Sequence, residues 1–250
     1  MPGCLEGKHS GHREGGRPLR PRWIGIGLLG LPLYGVLTFF SSLNPQPDPN
    51  THYDAWAHFV TTDFYVLKHL FASILGTILV IFGTFALGAY LATSRAGRMG
   101  LTAMVVAVLG TALFLTVGGV STFAVPEQGQ AHVLGIDEYR NMPDILAEAV
   151  MLATMGVDML LMLVGNVLLG VAIWRSGTLP KWAGALWVAG SALPLLGMVY
   201  ALLPIGADST PPTVPIGAVL LVIGGAWMAL SVLRGPSAET LGVRVQPSVQ

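Results

Sequence analysis

Charged residues are scarce in this chain of 250 residues, which excludes an ordinary soluble domain. Asp, Glu, Lys and Arg make up 10% of the sequence, whereas a soluble domain has about 25%. Hydrophobic residues make up 53%, and the mean hydropathy is +0.66. The formal net charge is zero, so the composition gives no basic surface for nucleic acid, and we expect no nucleic-acid partner. These values predict a membrane protein whose main surroundings are the lipid bilayer.

Cysteine is almost absent as well, since Cys4 is the only one. A single cysteine excludes an internal disulfide framework and any zinc or iron–sulfur site built from several cysteines. The sequence also lacks a glycine-rich phosphate loop after a strand, an ordered Ser-His-Asp set and paired transmembrane histidines for haem. With no legible active site, the sequence favours a non-enzymatic role over an enzyme.

Long apolar runs are what the chain does have. Six of them are long enough, at about 1.5 Å per residue, to cross about 30 Å of hydrocarbon. They predict an all-α fold, a polytopic membrane helix bundle of six transmembrane helices over residues 23–234, in which Pro32 and Pro194 bend the first and fifth helices. For the first run, a cleaved signal peptide is the alternative. The six spans cover residues 23–40, 70–92, 101–125, 145–174, 182–203 and 216–233.

The polar segments between the runs predict an orientation, because Lys and Arg concentrate on the cytoplasmic side of membrane proteins. With the N-terminus inside, 11 of the 13 Lys and Arg residues fall in inner segments, and only Lys68 and Arg140 fall outside. Both termini are therefore predicted to be cytoplasmic, with a disordered basic tail at 1–22 and a second tail at 235–250. Two long outer loops are predicted at 41–69 and 126–144.

The fourth apolar run is interrupted near its middle by one acid, Asp158. It carries the most informative feature of the sequence, a polar and methionine-rich stripe to which Asp158 belongs. A carboxylate near the bilayer centre costs about 2.5–3.5 kcal/mol, so this face is predicted to meet protein or water rather than lipid. On a helix the stripe occupies a sector of about 80°. Its members are Asp144, Glu148, Met151, Met155, Asp158, Met162, Gly165 and Asn166.

Three roles stay open for Asp158: a hydrogen bond between helices, the handling of protons or ions, or the binding of a ligand. Asp144 and Glu148 lie near the start of the predicted helix, where acids also favour the helix dipole. Met151, Met155 and Met159 are spaced by four residues and resemble the Met-x-x-x-Met pair of copper-importing channels, since thioethers select Cu(I). The alternative for these methionines is to fill irregular gaps in a helical core.

The first outer loop contains the one stretch with spacing suited to metal ligands. Asp54 and His58 are four residues apart and would share a helical face, and His69 follows at the start of the second run. Two imidazoles and a carboxylate suit copper, zinc or iron. The stretch resembles the Asp-x-x-x-His … Asp-Phe-x-x-x-x-His segment in the third, membrane subunit of particulate methane and ammonia monooxygenases. That resemblance implies a metal on these three residues, although this chain has two fewer residues between its histidines. The alternative is an interfacial belt of aromatic residues.

A second resemblance lies in the inner loop 175–184, which reads Arg-Ser-Gly-Thr-Leu-Pro-Lys-Trp-Ala-Gly. It resembles the Arg-Ser-Gly-x-Leu-Pro-x-Trp-x-Gly loop of bacterial six-helix membrane proteins in a domain-of-unknown-function family. The resemblance covers about residues 160–203 and implies a multi-pass protein of the bacterial plasma membrane. It carries over no functional residues.

Three functions follow from these patterns as hypotheses. The leading one is a plasma-membrane protein that holds a small ligand, an ion or a partner in an outward-facing cavity beside the fourth helix. The second is a copper-binding membrane protein or metallo-oxygenase-like subunit that uses Asp54, His58 and His69. The third is an accessory subunit of a membrane complex, in which Asp158 and Asn166 bond to another chain.

Overall fold

The computed structural model describes residues 22–136, 149–201 and 212–234. Within these ranges every regular element is helical, which confirms the predicted all-α class. A π-helical segment, Leu70–Gly76, joins α4 directly to α5. The α-helices are α1 (Arg22–Leu28), α2 (Gly30–Ser42), α3 (Tyr53–Val60), α4 (Asp63–His69), α5 (Thr77–Ala92), α6 (Gly97–Val133), α7 (Ala149–Ser176), α8 (Lys181–Ala201) and α9 (Thr213–Arg234).

Among the described residues, five helical stretches are long and apolar enough to cross a membrane. They are α1 with α2, α4 to α5, α6, α7 and α9. Their outer surfaces carry large apolar side chains, for example Trp23, Phe82 and Leu160, each more than half exposed. A bundle with this surface suits a lipid environment, as expected for a multi-pass membrane protein. The helix α8 has 21 residues and packs between α7 and α9.

The long helices close into a ring. In chain order α5 packs on α6, α6 on α7, α7 on α8 and α8 on α9, and the pair α1–α2 contacts both α5 and α9. The core of the ring is apolar and includes Leu28, Leu31, Leu87, Leu169 and Met228, all with essentially no exposure. Every long helix therefore has one face toward a common centre.

Among the described helices, α6 and α7 have the most extensive contact with each other. Gly165 on α7 lies against the backbone of Ala107, and Gly110 on α6 lies against the backbone of Met162. A Cβ atom at either glycine would overlap backbone atoms that cannot move aside. Small residues let helices approach this closely where packing, rather than the hydrophobic effect, drives association.

The first predicted helix is interrupted once, at Leu29. Pro32 has no N–H to donate to the carbonyl of Leu28, so the ladder of hydrogen bonds has a gap one turn before the proline. Leu29 itself adopts a tighter turn, with its N–H bonded to the Ile26 carbonyl at 3.0 Å. Pro194, by contrast, lies inside α8 without a break in the helix.

The predicted outer loops are wrong in part: residues 43–52 and 134–136 are non-helical as expected, but other described segments of both loops form helices. Most of 53–69 is helical, as α3 and α4, and α6 continues through Pro126 to Val133 instead of ending at 125. The physical reason is a second, smaller core that these segments build together, in which α3 and α4 pack on the extended end of α6. Its fully buried members are Trp56, Ala57, Val60, Tyr65 and Val125. The remainder of the second outer loop, 137–148, and the tails at 1–21 and 235–250 lie outside the described residues.

Charge separates between the two ends of the ring. At one end Gly177 lies against the Arg95 side chain, Arg175 donates to the Met99 sulfur at 3.7 Å, and Gly25 packs on Leu233. That end gathers the described basic residues except Lys68, namely Arg22, Arg95, Arg98, Arg175, Lys181 and Arg234. The opposite end carries α3, α4 and the described acids except Asp158, namely Asp48, Asp54, Asp63 and Glu127.

Candidate functional site

A cavity of about 430 Å³ lies inside the ring, displaced toward the end where α2 and α8 finish and α9 begins. All six long segments of the ring supply wall residues: α2, α5, α6, α7, α8 and α9. Most of the wall is carbon, from side chains such as Val80, Phe114, Leu195 and Leu221. The polar wall residues in the described ranges are Tyr34, Thr38, Thr84, Thr111, Asp158, Asn166, Ser191 and Thr213.

Asp158 is the one charged residue among the wall residues that the structure describes. Its side chain is 1% exposed, and neither carboxylate oxygen accepts a hydrogen bond of normal geometry from any described residue. The backbone amide of Met159 interacts with it electrostatically, but that amide belongs to the same helix. The hydrogen bond between helices that the sequence offered as one role is therefore not formed within the described part of the chain. Two other buried polar atoms there lack partners, Thr77 Oγ1 and Gln128 Oε1, and both are uncharged.

Asn166, two turns along the same helix, forms hydrogen bonds through both the nitrogen and the oxygen of its side-chain amide. Its amide Nδ2 donates to the Met162 carbonyl at 2.9 Å, and its Oδ1 accepts a hydrogen bond of 2.8 Å from the Trp187 indole N–H. Trp187 is 1% exposed, so this bond joins α7 and α8 in a buried position. A buried indole N–H needs such an acceptor, and the pair therefore fixes one wall of the cavity.

The other members of the predicted stripe are spread along α7. Met162 lines the cavity, as does Met159, while Met151 and Met155 are half-buried and are not among its wall residues. Gly165 is buried against α6. Asp144 and Glu148 lie outside the described residues.

Wall residues contributed by other helices were missed by sequence reasoning. The hydroxyls of Thr111 and Ser191 donate to carbonyls of their own helices, at 2.7 Å to Ala107 and 2.8 Å to Trp187. A hydroxyl that donates its hydrogen bond to a backbone carbonyl can still accept a hydrogen bond from another donor through its oxygen lone pairs. The only signal in the sequence is a lone Thr or Ser within an apolar run, which is too common to single these positions out.

The structure does not bring Asp54, His58 and His69 together. Asp54 Oδ1 pairs with Nε2 of His132 at 2.6 Å, His58 is exposed, and Nδ1 of His69 bonds the Tyr65 carbonyl at 3.0 Å. No group of three His, Cys, Asp or Glu side chains in the described ranges is arranged to hold a metal ion. Copper binding stays a prediction, and metal analysis of the purified protein, with His58→Ala and His69→Ala as controls, tests it. The accessory-subunit hypothesis likewise stays a prediction.

The helices α3 and α4 are held on α6 by packing more than by charge, which gives a first prediction. Asp54 is 84% exposed, and exposed ion pairs contribute about 1 kcal/mol or less, so Asp54→Asn should change the free energy of unfolding by less than about 1 kcal/mol. Tyr65→Phe removes a buried hydroxyl that donates to the Ser121 carbonyl at 3.0 Å, and should cost about 1–2 kcal/mol. Thermal unfolding of both variants in detergent measures the difference. A larger effect from Asp54→Asn would contradict this account of the outer core.

Comparison of the chain with protein-family models, with curated proteins and with solved structures finds no match.

Proposed function

We propose that this is a plasma-membrane protein of six transmembrane helices, with both termini in the cytoplasm, that binds a small solute in its central cavity through Asp158. The sixth span in this proposal is α8, whose 21 residues are long enough to cross about 30 Å of hydrocarbon. The basic end of the ring is then cytoplasmic, in accord with the positive-inside rule. The cavity lies in the half of the bundle that faces outward.

One observation carries the proposal: a buried carboxylate with no hydrogen-bond partner among the described residues lines a cavity to which every long segment of the ring contributes. An isolated charge in a low-dielectric interior costs several kcal/mol, and proteins normally bury a carboxylate only with hydrogen bonds or a counter-charge. The described residues give Asp158 neither. A solute that enters the cavity can supply the missing partner, and the volume of about 430 Å³ falls in the usual range for small-molecule sites, about 300–1,000 Å³.

Access to the cavity can be measured because the chain has one cysteine to remove. In a Cys4→Ser background, Ser191→Cys places a thiol on the cavity wall, and Leu196→Cys places one on the outer surface of the same helix, where Leu196 is 61% exposed. A membrane-impermeant methanethiosulfonate needs a hydrated thiolate, which water in the cavity permits and lipid does not. We expect the thiol at 191 to react at least about tenfold faster than the thiol at 196, and only with reagent added outside.

Leu196 lies about one turn nearer the proposed outer surface than Ser191, so simple depth in the membrane would favour the control. Equal rates at the two positions, or no reaction at 191, would remove the proposed function. Reaction at 191 only with reagent on the cytoplasmic side would support an accessible cavity but would show that the proposed orientation in the membrane is reversed.

A further inference from the structure

We infer that the solute held in the cavity, provided the cavity binds one as proposed above, is a small organic cation: a protonated amine carried on an apolar body. The assignment follows from three features of the wall, namely the sign of its charge, the chemistry of its remaining polar groups and its carbon-rich surface.

The sign of the charge comes first. Asp158 is buried without a counter-charge, and no Lys, Arg or His is found among the wall residues in the described ranges. An anionic solute would place a second negative charge beside the carboxylate in a low-dielectric site, where like charges repel strongly. A cation instead offsets the cost of burying the carboxylate, so the charge of Asp158 favours a positive group on the solute.

The neutral polar groups point the same way. The hydroxyls of Thr111 and Ser191 donate their protons to their own helices, and Asn166 Oδ1 and Nδ2 are already bonded. What these hydroxyls still offer is oxygen lone pairs, which accept hydrogen bonds from a donor such as an ammonium group. Thr111 and Ser191 therefore present acceptors in the same cavity wall as the negative charge of Asp158.

An inorganic cation fits this wall poorly. Calcium requires about six to eight oxygen ligands, and magnesium requires near-ideal octahedral oxygen coordination, whereas this wall offers one carboxylate and scattered hydroxyls. The cavity is also too large for a single bare ion, because about 430 Å³ holds roughly fourteen water molecules at about 30 Å³ each. Most of that space is bordered by carbon.

The carbon wall suits the body of an organic amine. Phe114 and Trp187 supply aromatic surface, and Met159 and Met162 supply flexible apolar side chains that adapt to irregular shapes. Aromatic faces attract cations as well as apolar groups, and this attraction strengthens where water is excluded. A solute with one ammonium group and a hydrophobic body therefore satisfies both parts of the wall at once.

Three probes of similar size but different charge test this inference on the full-length protein in detergent or nanodiscs. They are 2-phenylethylammonium, the neutral 2-phenylethanol and the anion phenylacetate, with binding measured by calorimetry. We expect the ammonium to bind at least about tenfold more tightly than the alcohol, and the anion to show no binding.

Asp158→Asn is the decisive variant, because asparagine has nearly the same shape as aspartate and removes only the charge. We expect the ammonium to lose about thirtyfold in affinity and the alcohol to be nearly unaffected, so that the preference between them disappears. A second variant, Ser191→Leu, fills part of the cavity from α8 and leaves the carboxylate in place; it should weaken both probes together. The second variant and the wild-type preference keep the inference testable if Asp158→Asn does not fold.

Each failure has a separate meaning. If the ammonium and the alcohol bind equally, the organic-cation class is wrong and the solute-binding function stands. If Asp158→Asn leaves the preference intact, Asp158 does not recognise the cation, and both this inference and the part of the proposed function that assigns binding to Asp158 are wrong. If neither probe binds while the thiol at 191 still reacts from outside, the cation class is again wrong. A thermal shift produced by sodium ions but not by the ammonium would also overturn it, in favour of an inorganic cation. No reaction of the thiol at 191 removes the proposed function itself.

Discussion

Gly165→Ala is expected to lower the free energy of unfolding by about 2–3 kcal/mol, the upper part of the range of about 1–3 kcal/mol typical of overpacking a well-fitted core. A Cβ at this position would overlap the amide nitrogen and Cα of Ala107. Backbone atoms inside a helix cannot swing aside as the end of a side chain can, so α6 and α7 must separate. Because both helices form cavity walls, we also expect binding of the ammonium probe to weaken. Unfolding monitored by heat or by added denaturing detergent measures the loss of stability.

The control for this prediction lies on the same helix. Apart from its own helix backbone and chain neighbours, Gly156 has no atom of the described residues within 4 Å of the position that a Cβ would take. Alanine is a better helix former than glycine by about 1 kcal/mol, so Gly156→Ala should leave stability unchanged or raise it. If Gly165→Ala is as harmless as Gly156→Ala, the close contact between α6 and α7 does not exist as described.

The second large effect is expected at the buried bond between Asn166 and Trp187. Asn166→Ala leaves the Trp187 indole N–H buried without its acceptor, which costs about 1–3 kcal/mol. Trp187→Phe removes the donor instead and leaves Asn166 Oδ1 beside the cavity, where water can reach it, so its cost in hydrogen bonding should be smaller. The free energies of unfolding of both single variants, of Asn166→Leu alone and of the double variant Asn166→Leu with Trp187→Phe complete the comparison.

In the double variant neither residue keeps an unsatisfied polar atom, because leucine and phenylalanine have none. Replacing both partners of a buried hydrogen bond with apolar groups is often nearly neutral, so the double variant should be more stable than Asn166→Ala. Strictly additive losses would show that the bond contributes nothing to the joining of α7 and α8. Two substitutions in contact should instead show a coupling of about 0.5–3 kcal/mol.

The helical class and the long apolar segments could be predicted from the sequence, because a run of twenty apolar residues has few alternatives to a helix in lipid. The cost of placing a carboxylate in lipid also predicts that Asp158 faces the interior, and it is buried in the structure. Its surroundings could not be predicted. Trp187, Thr111 and Ser191 come from other helices, and no pattern along the chain indicates which faces meet.

The outer helices were missed for a different reason. The segments that form α3 and α4 are 8 and 7 residues long, too short for a helical period to stand out against a polar loop. Their burial depends on the extension of α6 beyond Pro126, and a proline at the end of an apolar run normally indicates that the helix stops. Asp54 and His58 lie one turn apart on α3, as their spacing predicts, but tertiary packing pairs Asp54 with His132, 78 residues away.

The contact of α1 and α2 with α9 has a consequence for how the protein is made. The ring of helices closes where α1 and α2 contact α9. It therefore cannot close until α9 (Thr213–Arg234) has been synthesised. Before that point α7 is already synthesised, and the wall that α9 supplies through Val214 and Leu221 is missing. Until α9 packs into the ring, Asp158 therefore borders a cavity whose wall is incomplete.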